Sequence, residues 1–97
     1  MTTINLTNTP GVPLAQSTLS GSSPTAMTFV IPYGPAKRIV QVIVDTDSWI
    51  TDSTGTNKYP LYAKTPYNIE LTCDPLQTIY FQGVSSSSLN IYFMLVK

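Results

Sequence analysis

Tyr67, Ile69, Leu71 and Cys73 alternate without a break with Asn68, Glu70 and Thr72. A period of two residues marks a strand that buries one face and wets the other. The same period runs through residues 27–31, 38–44, 58–63, 76–82 and 89–96, and Trp49 with Ile50 forms one more short segment. Turn-forming clusters separate these runs: Pro32-Tyr33-Gly34-Pro35, the segment 52–57, Asp74-Pro75, and Gly83 with the serines of 85–88. No segment carries the 3.6-residue period of an amphipathic helix, and β-branched residues, aromatics and eight prolines weigh against one. The expected fold is therefore all-β, an antiparallel β-sandwich or jelly-roll-like domain. The loop lengths allow both connections.

With 97 residues the chain has room for one core. Residues 26–97 are expected to form that single β-sandwich domain. Residues 1–25 are rich in Thr, Ser, Asn, Pro and Gly, with isolated apolar positions at Ile4, Leu6, Val12, Leu14 and Leu19. A stretch of that kind cannot build a core alone. It reads either as a mobile terminus or as an extended N-terminal arm, and the spaced apolar anchors favour an arm that orders against a neighbouring subunit.

The strand faces carry a second expectation. Leu89, Ile91, Phe93 and Leu95 form an unbroken apolar face that must be core, yet the opposite face reads Asn90, Tyr92, Met94 and Val96. A strand facing water is not usually written that way. Ile39, Gln41 and Ile43 likewise oppose Val40, Val42 and Val44, so either face of that run suits burial. A second sheet or the arm would cover such a face, but Tyr62, Tyr80, Tyr92 and Met94 are residue types enriched at protein interfaces. Together with Ile4, Leu6, Val12 and Leu14 they are the candidate contact residues, and association with further copies or with another protein is expected. Only 10% of residues are charged, so little repulsion opposes association.

Five Lys and Arg balance five Asp and Glu, which leaves no basic surface for nucleic acid. The longest apolar run, residues 91–96, is far short of the roughly 20 residues of a membrane span, and residues 1–5 show no secretory signal. The chain has no His and one Cys, so zinc ligation and His-based catalysis lack their residues. No catalytic residue, cofactor or metal is expected. Cys73 reads as a small core residue rather than a nucleophile, and with no second thiol there is no internal disulfide, as suits a reducing cytoplasm. Lys37, Lys58 and Lys64 stand in no Ser-x-x-Lys spacing. Asp45, Asp47 and Asp52 fail the calcium-loop spacing, because Trp49 falls where an oxygen ligand belongs and Thr56 where a bidentate Glu does. They read as turn aspartates bonded to backbone, with a weak loop calcium site as the alternative. Trp49 is either a core residue or a stacking platform for a sugar.

Trp49 followed by Asp52-Ser53-Thr54-Gly55, then the run from Tyr59 to Ile69, Pro75-Leu76-Gln77-Thr78-Ile79-Tyr80-Phe81 and the apolar last strand resemble small accessory virion proteins of tailed bacteriophages, the capsid decoration or cement proteins and head-fibre bases. The resemblance covers residues 26–97 and implies a β-sandwich or jelly roll that forms a dimer or trimer. It further implies binding to the major capsid protein or other virion proteins on the capsid surface, after assembly in the host cytoplasm, without catalysis. Two other roles stay open: a carbohydrate- or receptor-binding module that uses Trp49 with the loops at 33–36 and 52–58, and a structural part of the tail or neck.

Overall fold

The two halves of the chain pair with each other as mirror images. In the computed structural model the described residues are 2–6, 11, 13–19, 23–30, 36–73, 76–84 and 88–97, with 2, 15–17, 36 and 73 described in backbone only. They hold nine strands: β1 (Thr2–Asn5), β2 (Pro13–Leu19), β3 (Thr25–Val30), β4 (Ala36–Val44), β5 (Ser48–Thr51), β6 (Lys58–Leu61), β7 (Tyr67–Cys73), β8 (Leu76–Gly83) and β9 (Leu89–Leu95). β2 pairs with β9, β3 with β8, β4 with β7 and β5 with β6, all antiparallel. The chain is thus one long hairpin with its tip at residues 52–57, wound so that successive lengths of the double ribbon fall into two sheets. β4 then also meets β9, and β5 meets β8. The sheets run β2-β9-β4-β7 and β1-β3-β8-β5-β6. This is a jelly roll.

The ribbon keeps its phase where it turns from one sheet to the other. Val42 pairs with Tyr67, and six residues further along each strand Ser48 pairs with Leu61. At the corner between them the Lys64 N–H donates to the Val44 carbonyl at 2.7 Å and the Ala63 N–H donates to Asp47 Oδ1 at 2.8 Å. An aspartate here replaces a ladder carbonyl, which lets the chain bend without leaving a donor unpaired. At the tip, Asp52 Oδ1 accepts from Thr54 N, Thr54 Oγ1 and Thr56 N, and Oδ2 accepts from Asn57 N and Nδ2. Gly55 sits at φ 78°, and a Cβ there would fall 2.9 Å from Pro24 Cγ.

Side chains alternate as the period-two pattern requires. Met27, Phe29, Phe81 and Leu61 from one sheet meet Val40, Val42, Val44, Leu71, Ile91, Phe93 and Leu95 from the other, all buried. Phe93 packs edge-on against Phe29 and Phe81, with centroids 5.5 and 5.9 Å apart. Each such buried side chain contributes about 1.5–3 kcal/mol.

The all-β expectation and its strand positions from residue 25 onward match these elements closely. The expectation for residues 1–25 does not. β1 and β2 are strands of the sheets themselves: β1 lies parallel to β3, and β2 closes the four-stranded sheet against β9. Ile4 and Leu6, expected to anchor on a neighbour, are buried in the chain's own interior at 2% and 0% exposure, with Leu19 beside them. Nor is the fold wholly antiparallel, since β1–β3 is a parallel pair. The physical reason is simple: the core formed by β3 to β9 is open along one rim, and the apolar residues of β1 and β2 fill it.

Candidate functional site

The outer face of the four-stranded sheet carries more apolar surface than a wetted sheet needs. Val40, Val42 and Val44 point inward and are buried, so Ile39, Gln41 and Ile43 point outward, where they remain half-buried. On β9, Ile91, Phe93 and Leu95 point inward, leaving Tyr92 (42% exposed), Met94 and Val96 on the outer face. At the β2 edge the register shifts between Pro13 and Ala15, a bulge that bends the strand. The result is a groove of about 520 Å³ lined by Pro13, Leu14, Gln41, Ile43, Tyr92 and Met94. One end of this face is tied down by polar bonds. Asn90 donates from its N–H and Nδ2 to the two carboxylate oxygens of Asp45, and Thr18 Oγ1 donates to Asn90 Oδ1. The Asn90 N–H holds the Asp45 carboxyl below its ordinary range, against a smaller opposing effect of desolvation.

Of the contact residues read from sequence, Leu14, Tyr92 and Met94 come together here. Tyr80 does not join them: it lies on β8, where Phe81 points inward, and so faces out from the other sheet. Tyr62 stands apart at the corner after β6, 58% exposed, its N–H donating to the Tyr67 hydroxyl. Ile4 and Leu6 are core residues. Val12, like the loop at 33–35, lies outside the described residues, as does the side chain of Cys73. Pro13, Gln41 and Ile43 belong to the groove as well; the two-faced apolar character of residues 38–44 is the sequence signal for Gln41 and Ile43, and Pro13 has none.

Trp49 is neither a core residue nor an open platform. It lies half-buried on the outer side of β5, with Lys58 Nζ 4.5 Å from its ring centroid. That cation–π contact occupies a face that a sugar would use. The three aspartates are spent on backbone and side-chain donors, as a turn role requires: Asp45 on Asn90, Asp47 on Ala63, Asp52 on Thr54, Thr56 and Asn57. The hydroxyl and amide of Thr54 and Asn57 keep the Asp52 carboxyl far below its usual range. Among the described residues no three Cys, Asp or Glu side chains converge on a point where an ion would sit. The described interior of the roll is filled by phenylalanines and aliphatic residues, and among the described residues Ser48 is the one buried hydroxyl that lacks a hydrogen bond.

No family model matches this chain, and no curated protein matches it. Among solved structures it is similar to a de novo designed double-stranded β-helix, with 12% sequence identity and a TM-score of 0.60 over 84% of this chain and 95% of that one. At that identity the likeness concerns the fold alone, and it agrees with the wound-hairpin pairing described above.

Proposed function

We propose that this chain is a non-enzymatic structural protein of a virion, which decorates or cements a bacteriophage capsid by bridging capsid subunits. The observation that carries the reading is the groove between β2, β9 and β4, where Leu14, Ile43, Tyr92 and Met94 line a recess on an outer sheet face. Aromatic and Met side chains in such a recess suit docking against another protein surface. A charge-poor exterior suits close packing on a shell, and a repeated lattice turns many weak contacts into firm attachment. The phage setting rests on the sequence resemblance.

Removing residues 1–25 is no test of attachment, because it would strip β1 and β2 from the fold. The test is a pair of outer-face substitutions, Tyr92→Glu and Met94→Glu, followed by co-sedimentation with phage heads that lack accessory proteins. Binding by the parent chain and its loss in both variants, with unchanged circular dichroism, is the expected result. Equal occupancy by parent and variants removes the groove from the proposal. A glycan-binding role is the weaker reading, because Lys58 already stacks on Trp49.

A further inference from the structure

The four edges of the two sheets are not alike. β6 is four residues long and contains Pro60, and β2 opens on Pro13 with a register shift beside it. β1 is also four residues long and lies near β2 across the rim of the roll. Short strands, prolines and bulges are what keep sheet edges from pairing with other chains. β7 has none of these: it runs seven residues without a proline and pairs with β4 from Ala36↔Cys73 to Val42↔Tyr67 without a shift.

The direction of its outer peptide groups follows from bonds on the far side of β4. The Ile39 N–H donates to the Lys97 carbonyl at 3.2 Å, and the Ile39 carbonyl accepts from Val96 N at 2.8 Å. Ile39 therefore spends both groups toward β9, so its partner Glu70 stands in a non-hydrogen-bonded pair with it and turns its own N–H and C=O out of the sheet. Residues of the same parity do likewise. The Thr72 N–H confirms the direction, since it is taken by Gln77 Oε1 at 3.0 Å rather than by β4. Asn68 and Glu70 thus present main-chain donors and acceptors along the outer side of β7, where no described strand pairs with it.

We propose that β7 is a self-pairing edge: a second copy of this chain lays its β7 antiparallel against it about a twofold axis at Ile69. Asn68 and Glu70 of each copy then exchange main-chain hydrogen bonds with Glu70 and Asn68 of the other, and two four-stranded sheets become one of eight.

The sequence of the strand fits its own copy in this register. An axis at Ile69 sets each exposed Asn68 amide opposite a Glu70 carboxylate, a favourable cross-strand pair. An axis at Glu70 would set two carboxylates face to face and would call on the Thr72 N–H that Gln77 already holds. Lys37, 3.1 Å from Glu70, partly neutralises that carboxylate in either copy. The inference deepens the assembly reading by naming the symmetric partner, and it makes no use of the groove.

The test compares the parent chain with Glu70→Pro and Tyr92→Glu by sedimentation velocity across a range of concentrations. Proline at an edge position whose N–H points outward leaves the β4 ladder intact, so Glu70→Pro should keep its circular dichroism and sediment as a single chain. The parent and Tyr92→Glu should both reach twice the chain mass. A parent that stays single at every concentration overturns the proposal, and so does a dimer that survives Glu70→Pro or dissolves only in Tyr92→Glu. If Glu70→Pro fails to fold, amide exchange in the parent decides: the Asn68 and Glu70 amides should be protected at high concentration and exposed on dilution, and fast exchange throughout overturns the pairing. Loss of capsid binding by Tyr92→Glu with its dimer intact bears on the groove alone.

Discussion

Asp45 and Asn90 hold each other by three hydrogen bonds: the Asp45 N–H donates to the Asn90 carbonyl at 3.1 Å, while the Asn90 N–H and side-chain amide donate to the Asp45 carboxylate at 2.9 and 2.8 Å. The pair closes β4 onto the start of β9, and with Thr18 it reaches β2 as well. Three strands that are distant in sequence are thus locked in register beside the groove.

This clasp makes the fold sensitive to acid. The Asn90 N–H is the main cause of the lowered Asp45 pKa, so the unfolded chain binds a proton more readily than the folded one. The stabilisation is complete above the ordinary carboxylate value of 3.8 and is lost as pH falls through the lower folded value. Thermal melts followed by circular dichroism should show a falling Tm below about pH 4. Asp45→Ala should flatten that fall in part, leaving the share that Asp52 contributes in the same direction, and should cost about 1 kcal/mol at neutral pH.

Lys64 adopts φ 59°, a left-handed conformation that side chains with a Cβ resist. Its N–H bond to Val44 holds it there. Lys64→Gly keeps that N–H and should stabilise the chain by about 0.5–1 kcal/mol, the relief of strain exceeding the entropy cost of glycine. A shift of the urea midpoint to higher concentration is the readout.

Gly55 is the opposite case. Its φ of 78° and the Pro24 ring beside it leave no space for a methyl group. Gly55→Ala should lower stability by about 1–2 kcal/mol, measured on the same urea curve, while Ser53→Ala, at an exposed position in the same loop, should change it by less than about 0.5 kcal/mol.

Ser48 Oγ is 2% exposed as a residue and has no hydrogen-bond partner among the described residues. An unsatisfied buried hydroxyl costs about 1–3 kcal/mol. Ser48→Ala should therefore leave the Tm unchanged or raise it; a clear drop would mean that the hydroxyl is bonded in solution.

Most of the sandwich was legible because strands write their burial directly into the sequence. Residues 67–73 alternate so regularly that the strand and its inner face follow from the letters alone, and the aspartates of the turns announce their backbone bonds by type and position. Residues 1–25 are ambiguous for a physical reason: sparse apolar positions among Thr, Ser and Pro describe an edge strand and an outside arm equally well. The groove was half legible. Tyr92 and Met94 stand out on the wrong side of a core strand, but Leu14 joins them through a bulge that no local pattern records, and Tyr80, alike in residue type, is carried to the other sheet by the winding of the chain.

Alternation, turn chemistry and the scarcity of charge determined by themselves that this chain is all-β, where most of its strands lie and which side of each is apolar. Tertiary structure alone decided that the chain pairs with itself as a wound hairpin, that its first strands complete its own core, and that β7 ends a sheet with peptide groups facing outward. Strand partners are chosen by contacts between residues far apart in the chain, and a pattern read along one strand carries no record of the strand it will meet.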